Sequence, residues 1–395
     1  MRELAPYSKF ACRHTFTHMR KCPPRGCLQM REQEMIEALR ANQPFDGLLD
    51  VRVVLTDLKP PKPFDIEFDL KFSDTLVTVY AEVKTACTPK EIEQIAPWLA
   101  NLKQAKSGAA YALICPYISP QVQAICDDNK IDFIDLAGNI SINVPGKLLL
   151  RRTGLKNTTK TRLSFYRDLF SGKSSRVLRV LLEKPGQWTL TKIAEELESE
   201  RQRNPALNDQ FEISLASISR TLRSLEEELL VRKRDVILVP EPKRLLFRWA
   251  DKYKERYRSY LRRSFKSTNR FGPDVRAVTT GLASLISPNS FAFTGAAATQ
   301  ITAPFVDLST IDLFVSNQSD ADKIRTAGTG PDLGPNLRII YPYDLGVFMY
   351  RQMLEGVPLV SNVQTYLDLS AQGGRDLKQA DYLLQNNIES RWLAN

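Results

Sequence analysis

The clearest periodic signal in the chain is Asp65-Ile-Glu-Phe-Asp-Leu-Lys-Phe72, where apolar and charged residues alternate strictly; Thr75-Leu-Val-Thr-Val-Tyr-Ala-Glu-Val-Lys84 comes after Ser73-Asp74. Period-two alternation puts Ile66, Phe68, Leu70 and Phe72 on one face of a strand and polar residues on the other, so the pair reads as a hairpin with one apolar face. Upstream, Arg31 to Leu39 sets Met35, Ile36 and Leu39 among three glutamates, an amphipathic helix, and Leu48 to Leu55 reads as a first strand. Downstream, residues 88–106 read as a helix, Ala110 to Cys115 as a buried strand, Pro120 to Asn129 as a helix and Ile131 to Ile134 as a strand.

A different rhythm begins near residue 174. Ser174 to Glu183 is helical and stops at Pro185-Gly186; Thr189 caps a second helix with Leu190, Ile193, Ala194 and Leu197 at helical spacing. The polar run Glu198 to Glu212 reads as an exposed insertion. Ser214 then caps a third helix, residues 215–229, with Leu215, Ile218, Leu222 and Leu225 as its buried stripe, and Leu230 to Val239 reads as two short strands around a tight turn. Three helices and a basic hairpin are the order of a winged helix-turn-helix. The helix Lys243 to Arg263 is basic and aromatic (Phe247, Trp249, Tyr253, Tyr257, Tyr260), its rings expected to pack against a neighbouring domain. Beyond it, Ser290 to Thr299 reads as a strand turning into a helix, Thr310 to Val315 as a strand, and a helix starts at Leu377.

At roughly 100–200 residues per domain, 395 residues imply two to four domains. The boundaries read 1–30 for a basic Cys/His tail, 31–150, 165–265 and 270–395. No run of ~18 apolar residues exists, so no membrane span and a cytoplasmic protein are expected. The net charge of +10 is unevenly spread. Residues 151–270 hold twenty-nine Lys and Arg against fifteen acids, whereas residues 31–150 hold twelve against seventeen and residues 271–395 eight against twelve. A polyanionic partner is therefore expected at the winged helix. There the stripe faces inward, so Ser217, Ser219, Arg220 and Arg223 look out to read a major groove, with Arg232, Lys233 and Arg234 of the wing on the DNA backbone or minor groove. Double-stranded DNA is the expected partner, no cofactor is needed for binding it, and a homodimer on a palindromic site is the expected arrangement.

The hairpin offers a second chemistry. Glu82-Val83-Lys84 with an upstream Asp resembles the PD-(D/E)xK motif, and the order of helices and strands resembles that of restriction-endonuclease-like domains. Two carboxylates can hold Mg²⁺ while a Lys orients the attacking water and offsets phosphate charge. With a two-residue turn at Ser73-Asp74, Asp65 lies opposite Glu82, with Cβ atoms about 4.5–5.5 Å apart. Asp69 would sit opposite Thr78, roughly 13 Å away along the strand, and serves only if the turn is longer. Asp65, Glu82 and Lys84 are thus the catalytic candidates if the site is active, with Asp65 and Glu82 as metal ligands. Charges also alternate on any half-solvated strand, and the net acidity of this segment disfavours DNA phosphates.

The two histidines, His14 and His18, lie in the tail with Cys12, Cys22 and Cys27, so His-based triads and metal sites are excluded elsewhere. The tail could supply four zinc ligands, but its spacing fits no finger pattern; an upstream extension of the reading frame ahead of Met30 and Met35, or a disordered tail, is the alternative. Six unevenly spaced Cys suggest reduced thiols. The turn at Thr294-Gly295 could cradle a phosphate, although no GxxxxGK[ST] is present.

Taken together, Ala81-Glu-Val-Lys84, Phe133-Ile-Asp-Leu-Ala-Gly-Asn139, Phe293-Thr-Gly-Ala-Ala297, Gln364-Thr-Tyr-Leu-Asp-Leu369 and Gly373-Gly-Arg375 make the chain from about residue 31 resemble the AbiEi-type antitoxins of type IV (abortive infection) toxin–antitoxin systems. The longer variant of that family puts a restriction-endonuclease-like domain before the winged helix. The resemblance implies a multidomain α/β protein: a restriction-endonuclease-like mixed sheet, a winged helix-turn-helix, and a C-terminal α/β antitoxin domain. It also implies an autorepressor that binds repeats in its own promoter and counters a nucleotidyltransferase-like toxin. The alternative is a Mg²⁺-dependent PD-(D/E)xK nuclease targeted by the winged helix. The insertion and the Cys/His tail depart from the simplest family members.

Overall fold

The computed structural model describes residues 32–48, 51–54, 64–105, 108–156, 169–207, 211–304, 308–327 and 332–393. The Cys/His tail lies outside them. The chain divides into two compact α/β units, Met1–Phe165 and Tyr166–Asn395.

The first unit is built on a seven-stranded mixed sheet whose spatial order follows the sequence. Its strands are β1 (Val51–Val54), β2 (Ile66–Phe72), β3 (Thr75–Val83), β4 (Ala110–Cys115), β5 (Asp132–Asp135), β6 (Ile140–Val144) and β7 (Leu148–Arg152). β1 to β3 form an antiparallel meander, and Ser73 adopts the positive φ of 50° that a two-residue turn requires. The β3–β4 and β4–β5 pairs are parallel, so each needs a crossover, supplied by α2 (Pro89–Ala105) and α3 (Pro120–Asp128). Ser119 caps α3 by accepting from the Val122 amide, with Pro120 in the first turn.

The two faces of the sheet bury separate cores. On one, Ile66, Phe68, Leu70, Val79 and Ala112 pack with Met35 and Leu39 of α1 (Glu32–Arg40). On the other, Leu113 and Phe133 meet Ile92, Ala96 and Leu99 of α2 and Val122 of α3. β4 is apolar throughout because both its faces are covered. The β6–β7 hairpin extends the sheet past the last strand read from the sequence. Asp135 explains the Phe133–Asn139 motif: its buried carboxylate accepts from the amides of Ile118 (2.9 Å) and Asn139 (2.8 Å) and from Asn139 Nδ2 (2.8 Å).

Thiol chemistry departs from expectation here. Cys87 and Cys115 form a disulfide, with Cα atoms 6.3 Å apart, that closes the β3–α2–β4 loop. Cys126 is free and buried, and burial pushes its thiol up to about 12, which makes it inert.

The second unit contains α4 (Gly172–Glu183), α5 (Leu190–Arg203), α6 (Leu215–Glu227), a two-stranded wing of β8 (Arg232–Lys233) and β9 (Ile237–Leu238), and the long α7 (Pro242–Arg263). A six-stranded sheet comes next, from β10 (Phe265–Ser267), β11 (Phe291–Thr294), β12 (Thr310–Val315), β13 (Asn336–Ile340), β14 (Gln352–Leu354) and β15 (Val357–Leu359), in the order β10-β13-β12-β11-β15-β14. Between them run α8 (Val275–Ala283), α9 (Gly295–Thr302) and α10 (Gln318–Thr326), and the described chain ends with α11 (Asn362–Gln372), α12 (Arg375–Leu383) and α13 (Glu389–Leu393). The segments 165–265 and 270–395 share one core: Val177, Leu181, Ile193, Ile218 and Leu222 of α4, α5 and α6 join Trp249, Tyr253, Phe314, Phe348 and Leu367. Truncating a buried aromatic such as Trp249 costs about 3–5 kcal/mol.

Two expectations fail in this unit. The described residues of 198–207 and 211–212 do not form an exposed insertion: α5 runs to Arg203, and Ala206, Leu207 and Phe211 are buried, with the Arg176 guanidinium 4.2 Å from the Phe211 ring centroid. Buried Glu200 and Asn204 are satisfied at long range, Glu200 by the Tyr350 amide (2.8 Å) and Asn204 by the Phe348 carbonyl. Leu215 does not join the buried stripe of α6; Thr221 does, its hydroxyl donating to the Ser217 carbonyl at 2.9 Å.

Candidate nucleic-acid interface and carboxylate site

The three helices α4–α6 and the β8–β9 hairpin assemble from local rules. Thr189 caps α5 by accepting from the Lys192 amide (3.2 Å), and Ser214 caps α6 by accepting from the Ser217 amide (3.3 Å). Trp188 and Ile237 exchange backbone hydrogen bonds of 2.9 and 2.7 Å, which ties the start of α5 to the wing. On this frame Arg220 and Arg223 of α6 and Arg232, Lys233 and Arg234 of the wing are exposed, and Ser217 and Ser219 are half-buried. Arg220 lies along its own helix, donating to Ser217 Oγ (3.1 Å) and the Ala216 carbonyl (3.2 Å). Arg223, Arg232, Lys233 and Arg234 make no ion pair among the described residues.

Many other cations of this unit are paired: Arg176 with Asp344, Lys184 and Arg203 with Glu196, Arg338 with Asp312. Exposed cations without an ion pair thus include those of the helix and wing, as well as Lys254, Arg258, Arg262 and Lys266 at and after the end of α7. Lys192, exposed on the first turn of α5, belongs to the same group and was not singled out from the sequence, where one lysine beside a cap carries no signal.

The carboxylate site follows from strand register. β2 and β3 pair Ile66 with Ala81 and Asp69 with Thr78, which sets Asp65 opposite Glu82. Asp65 Oδ2 accepts from the Val83 amide (3.0 Å), and Lys84 Nζ donates to Glu82 Oε1 (2.5 Å). Asp69 is engaged with Thr78 Oγ1 (2.8 Å) and stays out of the group. Burial pushes the Glu82 pKa up; the bond and charge of Lys84 oppose this, and the charge of Asp65 adds to it. Burial would pull Lys84 down, yet the hydrogen bond and charge of Glu82, with the charges of Asp65 and Glu32, outweigh it and raise the Lys84 pKa. Glu32 on α1 is a member of this environment that strand spacing alone could not reveal.

Among the described residues no group of three or more His, Cys, Asp or Glu is placed to hold a metal ion. Two carboxylates are a donor set that Mg²⁺ accepts when water and phosphate complete its shell, so Asp65 and Glu82 fit that ion in kind. The neighbouring positions on the face, Glu67 and Asp69, add negative charge.

The turn at Thr294-Gly295 is not a phosphate cradle. The Thr294 hydroxyl donates to Asp368 (2.5 Å), and a Cβ at Gly295 would lie 3.2 Å from Gln372 Nε2 and 3.6 Å from Asp312 Oδ2, so carboxylates already face this helix end. Gln364 and Asp368, one turn apart on α11, are fully buried. Gln364 Oε1 accepts from Arg179 (2.5 Å), while its amide donates to Tyr253 OH and Asp368 (3.0 Å each). Burial pushes Asp368 up to about 6 against the bonds from Gln364, Thr294 and Tyr253. The Gln364–Leu369 motif therefore knits α11 to α4 and α7 and presents no outer surface. No protein-family model, curated protein or solved structure matches the chain.

Proposed function

We propose that the chain is a DNA-binding transcriptional autorepressor and the antitoxin of a type IV toxin–antitoxin system, acting on double-stranded DNA at repeats in its own promoter and countering a nucleotidyltransferase-like toxin. The observation that carries the DNA-binding part is the set of exposed, unpaired cations Arg223, Arg232, Lys233 and Arg234 beside Arg220 on a capped third helix and its wing. Arg on such a helix bonds guanine O6 and N7 or a phosphate, and each phosphate contact adds to the salt dependence. The antitoxin part rests on the family resemblance. Two copies on an inverted repeat are the expected arrangement. In a mobility-shift assay on the upstream promoter fragment at ~0.15 M salt, Arg220→Ala with Arg223→Ala is expected to weaken binding at least tenfold and flatten the salt slope by up to ~2; unchanged affinity would sink the proposal.

A second reading is favoured by one observation, the register that sets Asp65 across from Glu82 with Lys84 bonded to it. In that reading Asp65 and Glu82 hold Mg²⁺, which when bound would supply a water of lowered pKa and offset phosphate charge. Lys84 would hold and orient Glu82. Supercoiled plasmid left intact by the chain with Mg²⁺ or Mn²⁺ counts decisively against it.

A further inference from the structure

The first turn of α6 carries an apolar side chain that folding does not account for. Leu215, immediately after the Ser214 cap, is 53% exposed, and Ala216 beside it is exposed as well, while the helix buries Ile218, Thr221, Leu222 and Leu225. A single exposed leucine is ordinary on a protein surface. This one lies on the first turn of the helix that also carries Arg220 and Arg223, the part of a recognition helix whose residues meet base edges. Arg220 bends back to that turn, bonded to Ser217 Oγ and the Ala216 carbonyl, so one turn of the helix carries both a guanidinium and an exposed apolar side chain. Of the groups the four bases display in the major groove, the one that matches an apolar side chain is the C5-methyl of thymine.

We propose that Leu215, with Ala216, reads the 5-methyl group of a thymine in the bound DNA and is thereby a specificity-determining residue. The inference rests on the reading of α6 as the recognition helix. A methyl group buried against a leucine is worth about threefold to tenfold in affinity at that base pair. The gain is made once per half-site and only where thymine stands; non-specific affinity, which comes from phosphate contacts, is left unchanged.

The test uses the full chain. A duplex enriched by the wild type from a random-sequence pool is remade with each thymine replaced in turn by deoxyuridine, which removes the methyl group alone. The expected result is a loss of about threefold to tenfold for the wild type at one or two thymines, and no discrimination between thymine and uracil there by Leu215→Ala. That variant should hold random duplex as tightly as the wild type and melt at the same temperature, because the side chain it loses is exposed; Leu215→Met, which keeps an apolar reach, should retain the preference. A wild type indifferent to uracil at every position, or Leu215→Ala with the full thymine preference, overturns the role of Leu215 and leaves DNA binding standing. A chain that enriches no sequence and has no salt-dependent affinity for any duplex overturns the DNA-binding reading, and this inference with it.

Discussion

The surface of α6 with the β8–β9 hairpin and the carboxylate site both carry charged side chains, yet they handle charge in opposite ways. On α6 and the wing, Arg223, Arg232, Lys233 and Arg234 point to solvent without ion-pair partners. At the carboxylate site Lys84 is bonded to Glu82, and the Asp65 carboxylate is bonded to the Val83 amide. The unpaired cations repel one another and are relieved when a polyanion arrives, with counterion release adding to the gain. The charges on β3 already relieve one another, so a substrate or metal must compete with bonds that exist. The difference teaches that the first surface leaves its charges uncompensated, whereas at the second the Lys84–Glu82 bond already compensates them.

Breaking a buried pair should have the largest effect. Arg176 and Asp344 are joined within the second unit with little solvent around them, and Asp344 also accepts from the Gly346 amide (2.8 Å). Asp344→Ala is expected to cost about 3–5 kcal/mol in chemical denaturation, because it strands a buried guanidinium; a loss under 1 kcal/mol would show that the buried network is no stronger than the surface charges. Next comes Asp368. Its pKa is raised to about 6 in the folded chain from an ordinary 3.8, so the protonated form is favoured by folding. The stability this provides is fully present below pH ~4 and is lost as pH rises through about 6, some 3 kcal/mol at most. Melting temperatures across that window should fall more steeply for the wild type than for Asp368→Asn, and parallel curves would refute the buried-charge account.

Smaller in energy is the loss of surface cations. Arg232→Ala with Arg234→Ala should cost about 1–3 kcal/mol of DNA affinity, most of it at low salt, while leaving unfolding within ±0.5 kcal/mol. A fall in stability without a change in affinity would reverse the roles assigned to the two kinds of charge. The smallest change expected is at Glu82. Lys84→Met removes the bond and charge that hold its pKa down, so Glu82 should titrate higher in carboxyl NMR; an unmoved or lowered value would mean that the Lys84 contact does not govern the site.

Much of the fold was legible where the causes are local. Strict alternation and a two-residue turn leave one register for β2 and β3, and the pairing of Asp65 with Glu82 is its direct result. Caps at Thr189 and Ser214 likewise announce α5 and α6. The features that stayed hidden depend on distant partners. Glu200 and Asn204 look like solvent-facing residues until the backbone of Phe348 and Tyr350 arrives to satisfy them. Leu215 obeys helical spacing, but a first-turn position has no preceding turn to pack under it. The β6–β7 hairpin lies past the last strand read from the sequence, although Ile140-Ser-Ile-Asn-Val144 alternates correctly; it is short and set between Gly138 and Gly146. At the carboxylate site the charge of Glu32 arrives from α1, about fifty residues upstream of Glu82, a separation at which spacing carries no information.

The core shared by residues 165–265 and 270–395 also determines how the protein can be turned off. Trp249, Tyr253 and Tyr257 on α7 are buried in that shared core, and Arg179 on α4 meets Gln364 of α11. A protease that cut between Arg263 and Val275 and cleared the downstream fragment would leave these groups bare, and α6 would lose its scaffold together with the segment removed. Whatever the exposed cations of α6 and the wing bind and whatever the C-terminal segment does would then be lost together, with the lifetime of one segment acting as the timer for the other.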